Sequence, residues 1–136
     1  MALYNDTVLE HYQHPRNVGG LEGASAVGRA ANDACGDEMQ LYLQIDGGLV
    51  SQARFRTFGC AAAIAAGSVL TELVTGARLS ELQRLGEGEV EGALGGLPPL
   101  KAHASVLAAD ALRAALSDYR KRCETPSSDP LIPTSN

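Results

Sequence analysis

The chain has 136 residues, 45% of them apolar, and a formal net charge of −5, which suits one compact domain around one core rather than two. No dense Lys/Arg run is present, so nucleic acid is not expected as a primary ligand, and basic protein surfaces or cations are the better match. No apolar run nears the roughly 20 residues that span a bilayer, and residues 1–10 carry no basic residue of the kind that opens a secretory signal. A cytoplasmic, reducing setting with no membrane partner is therefore expected. The three cysteines then read as ligands, nucleophiles or packing groups, not as a disulfide framework.

Residues 4–14 place Tyr4, Val8, Leu9 and Tyr12 at helical spacing, and Pro15 stops that helix after His14. A glycine-rich loop over 17–23 follows, then a weak small-residue strand over 24–31. Residues 39–46 alternate cleanly, with Met39, Leu41, Leu43 and Ile45 on one face, which predicts a half-buried strand. Gly47 and Gly48 supply the positive-φ pair of a tight hairpin, and residues 49–58 return as its second strand.

Cys60 opens an alanine-rich helix that Gly76 stops. A short helical piece over 79–85 and a glycine-rich connection lead to Leu97-Pro98-Pro99-Leu100, where two prolines fix an extended approach and permit a helix start. The last helix is expected from about residue 100 to 119, with Leu100, Ala104, Leu107, Ala111, Leu112, Ala115 and Leu116 on its buried stripe and His103 in its first turn. Residues 1–123 then form the domain, and 124–136, rich in Pro, Ser and Thr, are expected to be a disordered tail. The fold class is α+β: a small antiparallel sheet of about three strands packed against helices.

Cys35 and Asp37 precede the first hairpin strand and Cys60 follows the second, so the hairpin brings them together. Gly36 lets the backbone turn, and residues two apart on extended chain project the same way. A helix N-terminus favours the thiolate of Cys60. His103 offers an imidazole at another helix start. Two thiolates, a carboxylate and an imidazole can hold zinc tetrahedrally, and soft thiolates equally suit an iron–sulfur cluster; the spacing leaves both open. Taken singly, Cys60 is as readily a small packing residue and His103 a surface or capping histidine. His11 and His14 read as solvent-exposed or capping, and Cys123, after Arg120-Lys121-Arg122, as an incidental exposed thiol.

Several ordered stretches, His14-Pro15-Arg16-Asn17-Val18-Gly19, Ala34-Cys35-Gly36-Asp37, Ala53-Arg54-Phe55-Arg56-Thr57-Phe58-Gly59-Cys60 and Leu97-Pro98-Pro99-Leu100-Lys101-Ala102-His103, resemble the U-type iron–sulfur cluster scaffold family (IscU and the N-terminal domain of NifU). The resemblance implies a non-enzymatic scaffold that builds a [2Fe-2S] cluster or binds iron at Cys35, Cys60 and His103, with Asp37 beside them, and holds zinc when no cluster is present. It implies a cysteine desulfurase as sulfur donor, an Hsp70-type chaperone and co-chaperone that recognise Leu97, Pro98, Pro99, Leu100 and Lys101, and acceptor apo-proteins that take the cluster.

One position departs from the family pattern. Ala104 stands where the family has a cysteine that ligates the cluster and accepts persulfide sulfur. Cys123 does not replace it on a continuous helix, where it lies about 28 Å away at 1.5 Å per residue. The residues that remain support a scaffold with a mixed N/O/S site. Ala104 also leaves open a zinc-binding accessory protein that docks on the desulfurase and modulates it without building clusters, or sulfur transfer through Cys35 or Cys60.

Overall fold

The computed structural model describes residues 4–34 and 36–124. Its centre is the hairpin of β2 (Asp37–Asp46) and β3 (Leu49–Phe58), turned by Gly47 and Gly48 at φ 60° and 80°. The first strand, β1 (Ala26–Asn32), pairs antiparallel with β2, so the sheet order is β1-β2-β3. The alternation read from residues 39–46 is borne out: Met39, Leu41, Leu43 and Ile45 all face the core.

Helices α2 (Ala61–Val74) and α5 (His103–Glu124) cover that inner face. Their small residues set the distance. A β-carbon on Gly28 of β1 would lie 2.2 Å from the Ala115 backbone nitrogen of α5, and one on Gly67 of α2 would lie 2.3 Å from the Phe55 ring of β3. Ala62, Ala63, Ala65 and Ala66 of α2 are fully buried, as the alanine run suggested for a central helix.

Several expectations need correction. The glycine-rich connection contains a helix, α4 (Glu87–Ala93), because Val90 and Leu94 are fully buried and the Gly86 N–H donates to the Glu89 carboxylate at 2.8 Å. Leu100 is not on a buried stripe but 88% exposed, since Pro99–Lys101 form a separate 3-10 turn and α5 starts only at His103. The piece expected over 79–85 is the single turn α3 (Leu79–Leu82). Helix α5 runs through Glu124, the first residue of the expected tail; residues 125–136 lie outside the described residues. Among the described residues no helix is long and apolar enough to cross a membrane.

The expected N-terminal helix forms but is shorter, α1 (Asp6–Gln13), capped by the Asn5 side chain on the Val8 N–H; Tyr4 precedes it, and Tyr12 is 43% exposed rather than on the buried stripe. His11, however, is buried where exposure or capping was expected, because it follows Val8 by three residues and shares its inward stripe. Its Nδ1 lies 2.7 Å from the Ser68 hydroxyl of α2 and its Nε2 3.6 Å from Glu72. The Arg16 N–H donates to the same hydroxyl at 2.9 Å, which leaves the Ser68 proton for Nδ1 and the ring N–H for Glu72. His14, at the C-cap, is exposed as expected.

Burial holds His11 below the usual histidine range, and Glu72 only partly offsets it. The folded state thus binds this proton less readily than the unfolded chain, which takes it near pH 6.5. The contribution is complete above that pH and is lost as pH falls through 6.5 toward the depressed folded value. Urea unfolding at a series of pH values is expected to show this loss in the protein as given and a shallower slope in His11→Gln. By the same measurement at neutral pH, Gly28→Ala is expected to cost about 3 kcal/mol, because the clash is with helix backbone that cannot rotate away.

Candidate metal centre

Three element starts meet at one end of the sheet. Gly36, at φ 77°, turns the chain into β2, and its N–H donates to the Asn32 carbonyl at 2.8 Å. Asp37 then opens β2 on the inner face with its side chain only 8% exposed. Cys60 is the N-cap of α2. Its carbonyl accepts from the Ala63 and Ile64 N–H groups, but its side chain makes no capping bond, so Sγ remains free to face the centre. His103 is the first residue of α5.

The Asp37 carboxylate is the hub. Its Oδ2 accepts from the Cys60 thiol at 3.6 Å and lies 3.3 Å from His103 Nε2. One sulfur, one oxygen and one nitrogen donor thus come within 4.8 Å of one another. Among the described residues the only ionic partner of this nearly buried carboxylate is an imidazole, a costly arrangement unless positive charge is brought to it. A thiolate, a carboxylate and an imidazole answer that need for zinc or iron.

Gly59 makes the arrangement possible. A β-carbon there would stand 2.9 Å from the Ala63 β-carbon and 3.0 Å from the Asp37 Cγ. Two residues that the sequence did not single out border the site. The Tyr4 phenol is held above its usual range by burial and then by Cys60, against the lowering effect of Lys101. Neither Gly59 nor Tyr4 stands out in the sequence alone, since nothing local links residue 59 to 37 or residue 4 to 60.

Asp37, Cys60 and His103 are therefore brought together; Cys35, the fourth expected ligand, lies outside the described residues. Ala104 is fully buried and brings only a methyl group to its position. Because α5 is one continuous helix, Cys123 is exposed near its far end, remote from the site. Beside the centre, Pro99 and Leu100 are exposed, while Leu97, Pro98 and Lys101 are half-buried and Leu97 packs against the core, so only the tip of the proline segment lies open at the surface.

The sequence matches the family described as "NifU-like N terminal domain" over residues 3–126. It is 46% identical over 120 residues to "Iron-sulfur cluster assembly scaffold protein IscU 1" of Archaeoglobus fulgidus, covering 88% of this chain and 78% of the relative. To the protein of Escherichia coli K12 named "Iron-sulfur cluster assembly scaffold protein IscU" it is 41% identical over 125 residues, 89% of this chain and 97% of the relative. A Drosophila melanogaster relative, 44% identical over 124 residues (88% of this chain, 80% of the relative), is called "Iron-sulfur cluster assembly enzyme IscU". Among solved structures, a NifU-like N-terminal protein from Brucella abortus superposes with a TM-score of 0.74 at 22% identity, covering 88% of this chain and 96% of that one. That likeness bears on the fold, and the α+β reading agrees with it.

Gly59→Ala is expected to displace the Asp37 carboxylate. Zinc titration against a competing chelator should show affinity lower by roughly tenfold, with a stability loss of about 1–2 kcal/mol by thermal unfolding.

Proposed function

The chain belongs to the NifU-like N-terminal domain family, and from that premise we propose that it is a scaffold on which an iron–sulfur cluster is assembled and from which the cluster passes to acceptor proteins. The observation that carries the reading is the nearly buried Asp37 carboxylate with the Cys60 thiol and the His103 imidazole around it. With Cys35 these make a set of four donors. Thiolates bind the iron atoms of a cluster strongly, whereas a carboxylate and an imidazole are harder, more readily exchanged ligands. Cargo held by such a mixed set is easier to release than cargo held by thiolates alone, which suits a carrier more than a resident redox centre.

In this reading the chain is a carrier with no turnover of its own, in keeping with the scaffold names of the Archaeoglobus and Escherichia relatives. The cluster is of the [2Fe-2S] type, and zinc takes the same donors when no cluster is present. A cysteine desulfurase supplies sulfur. The exposed turn at Pro99 and Leu100, just before His103, is the handle for an Hsp70-type chaperone and its co-chaperone. The free thiols call for a reducing compartment such as the cytoplasm. With alanine at 104, persulfide sulfur has no acceptor at that position, so it arrives through Cys35, Cys60 or a thiol of the donor protein.

The test is iron and acid-labile sulfide per chain after anaerobic reconstitution, with Ala104→Cys prepared in parallel. Stoichiometric iron and sulfide in both are expected. Iron and sulfide only in the cysteine variant, with zinc held tightly by the chain as given, would overturn the scaffold reading. Asp37→Ala, Cys60→Ala and His103→Ala are each expected to weaken zinc binding by roughly 100-fold, while Cys123→Ser leaves it unchanged.

A further inference from the structure

Along the second half of α5, Arg113, Leu116, Tyr119, Arg120 and Cys123 recur at helical spacing and so share one face. The turn α3 supplies an opposite wall through Leu82, which is only 1% exposed. Between them runs a groove of about 600 Å³ that all six residues line, a volume suited to a small molecule. It lies toward the far end of α5 from His103 and so apart from the metal centre.

The groove has an apolar floor and a cationic rim. Leu82 is buried and Leu116 and Tyr119 are half-buried, whereas Arg113 and Arg120 are exposed. Among the described residues neither arginine makes an ion pair. Arg113 donates to the neutral Ala109 carbonyl at 3.4 Å, while the neighbouring Arg122 is taken by Asp118 at 3.0 Å. Two uncompensated guanidinium groups on a chain of net charge −5 make a local positive field, and their forked donors match carboxylates. The exposed Cys123 thiol borders the same space. The Tyr119 phenol is held above its usual range first by its hydrogen bond to Cys123, then by burial and by the negative charges of Cys123 and Asp46. A hydroxyl donor on the sulfur and cations at the same rim are the surroundings in which a thiol reacts as thiolate.

We propose that this groove binds a small carboxylate-bearing disulfide and that Cys123 exchanges with it, so that the chain carries a mixed disulfide at a site separate from its metal centre. The carboxylates meet Arg113 and Arg120, and the aliphatic part lies on Leu82 and Leu116. The Cys123 thiol gives its proton to solvent, and the thiolate attacks one sulfur of the bound disulfide. A new S–S bond forms, the old one breaks, and the other half leaves as a thiolate. Cys123 is oxidised and the departing half reduced, so the disulfide is itself the oxidant. The step requires no bound metal and stands independently of the scaffold reading.

Two measurements on the full chain test it. In the first, the rate of modification at Cys123 is followed by peptide mass spectrometry with two probes, oxidised glutathione, which is acidic, and cystamine, which is cationic. The net charge of the chain favours cystamine; the groove predicts that oxidised glutathione reacts roughly tenfold faster at low salt, with the advantage shrinking as salt is added. Arg113→Gln/Arg120→Gln should remove that preference. Cystamine reacting as fast or faster with the chain as given, or a preference that survives both glutamine substitutions, would overturn the proposal. In the second, 15N-labelled Cys123→Ser chain, which cannot react there, is titrated with S-methylglutathione. Shifts centred on residues 82, 113, 116, 119 and 120 are expected. Disulfide formation at Cys123 without any such shift would mean an exposed thiol only and would sink the binding site.

Discussion

The closeness of two helices to a three-stranded sheet governs the rest of the molecule. Gly28 admits the α5 backbone and Gly67 admits the Phe55 ring, and no larger residue fits at either place. That contact distance carries the alanine stripes of both helices into the core, and it fixes where each helix begins. Since Cys60 caps α2 and His103 starts α5, the position of two donors follows from packing many residues away. A chain with leucines in place of these glycines and alanines would lift both helix starts away from Asp37.

At the centre itself the largest cost is that of holding Asp37 where solvent barely reaches it. The hairpin forces the residue into that position: it opens β2, and the next residue, Glu38, pairs with Phe58 at the other end of the ladder. Gly59 then gives way to the carboxylate, and the thiol and imidazole supply its hydrogen-bonding partners. The same strand pairing that builds the fold therefore leaves the centre in need of positive charge.

Much of this was legible in the sequence because the signals were periodic or stereochemical. Strict alternation over 39–46 and the Gly47-Gly48 pair located the hairpin, and the ligand-bearing ends followed from it. The features that escaped were those in which a short segment is stabilised from far away. The turn of helix around Val90 is rich in glycine and makes sense only once α5 is laid against it. His11 looked polar and hence exposed, yet the Ser68 hydroxyl and the Glu72 carboxylate of α2 give both ring nitrogens a partner inside. Leu100 fits the helical stripe by count alone, and only the proline turn before His103 shows that the count starts later.

Asp37, Cys60 and His103 each stand where an element begins: a strand, an alanine-rich helix and the longest helix. An ion bound by all three therefore ties together three element ends whose side chains otherwise meet only through one carboxylate oxygen. By thermodynamic linkage, cargo present at a hundred times its dissociation constant adds about 2.7 kcal/mol to the folded state, and this increment is localised at that corner. Unloading the centre and loosening the corner are then one event, so a partner that pries at the start of α5 or at the end of the hairpin lowers cargo affinity without touching a ligand.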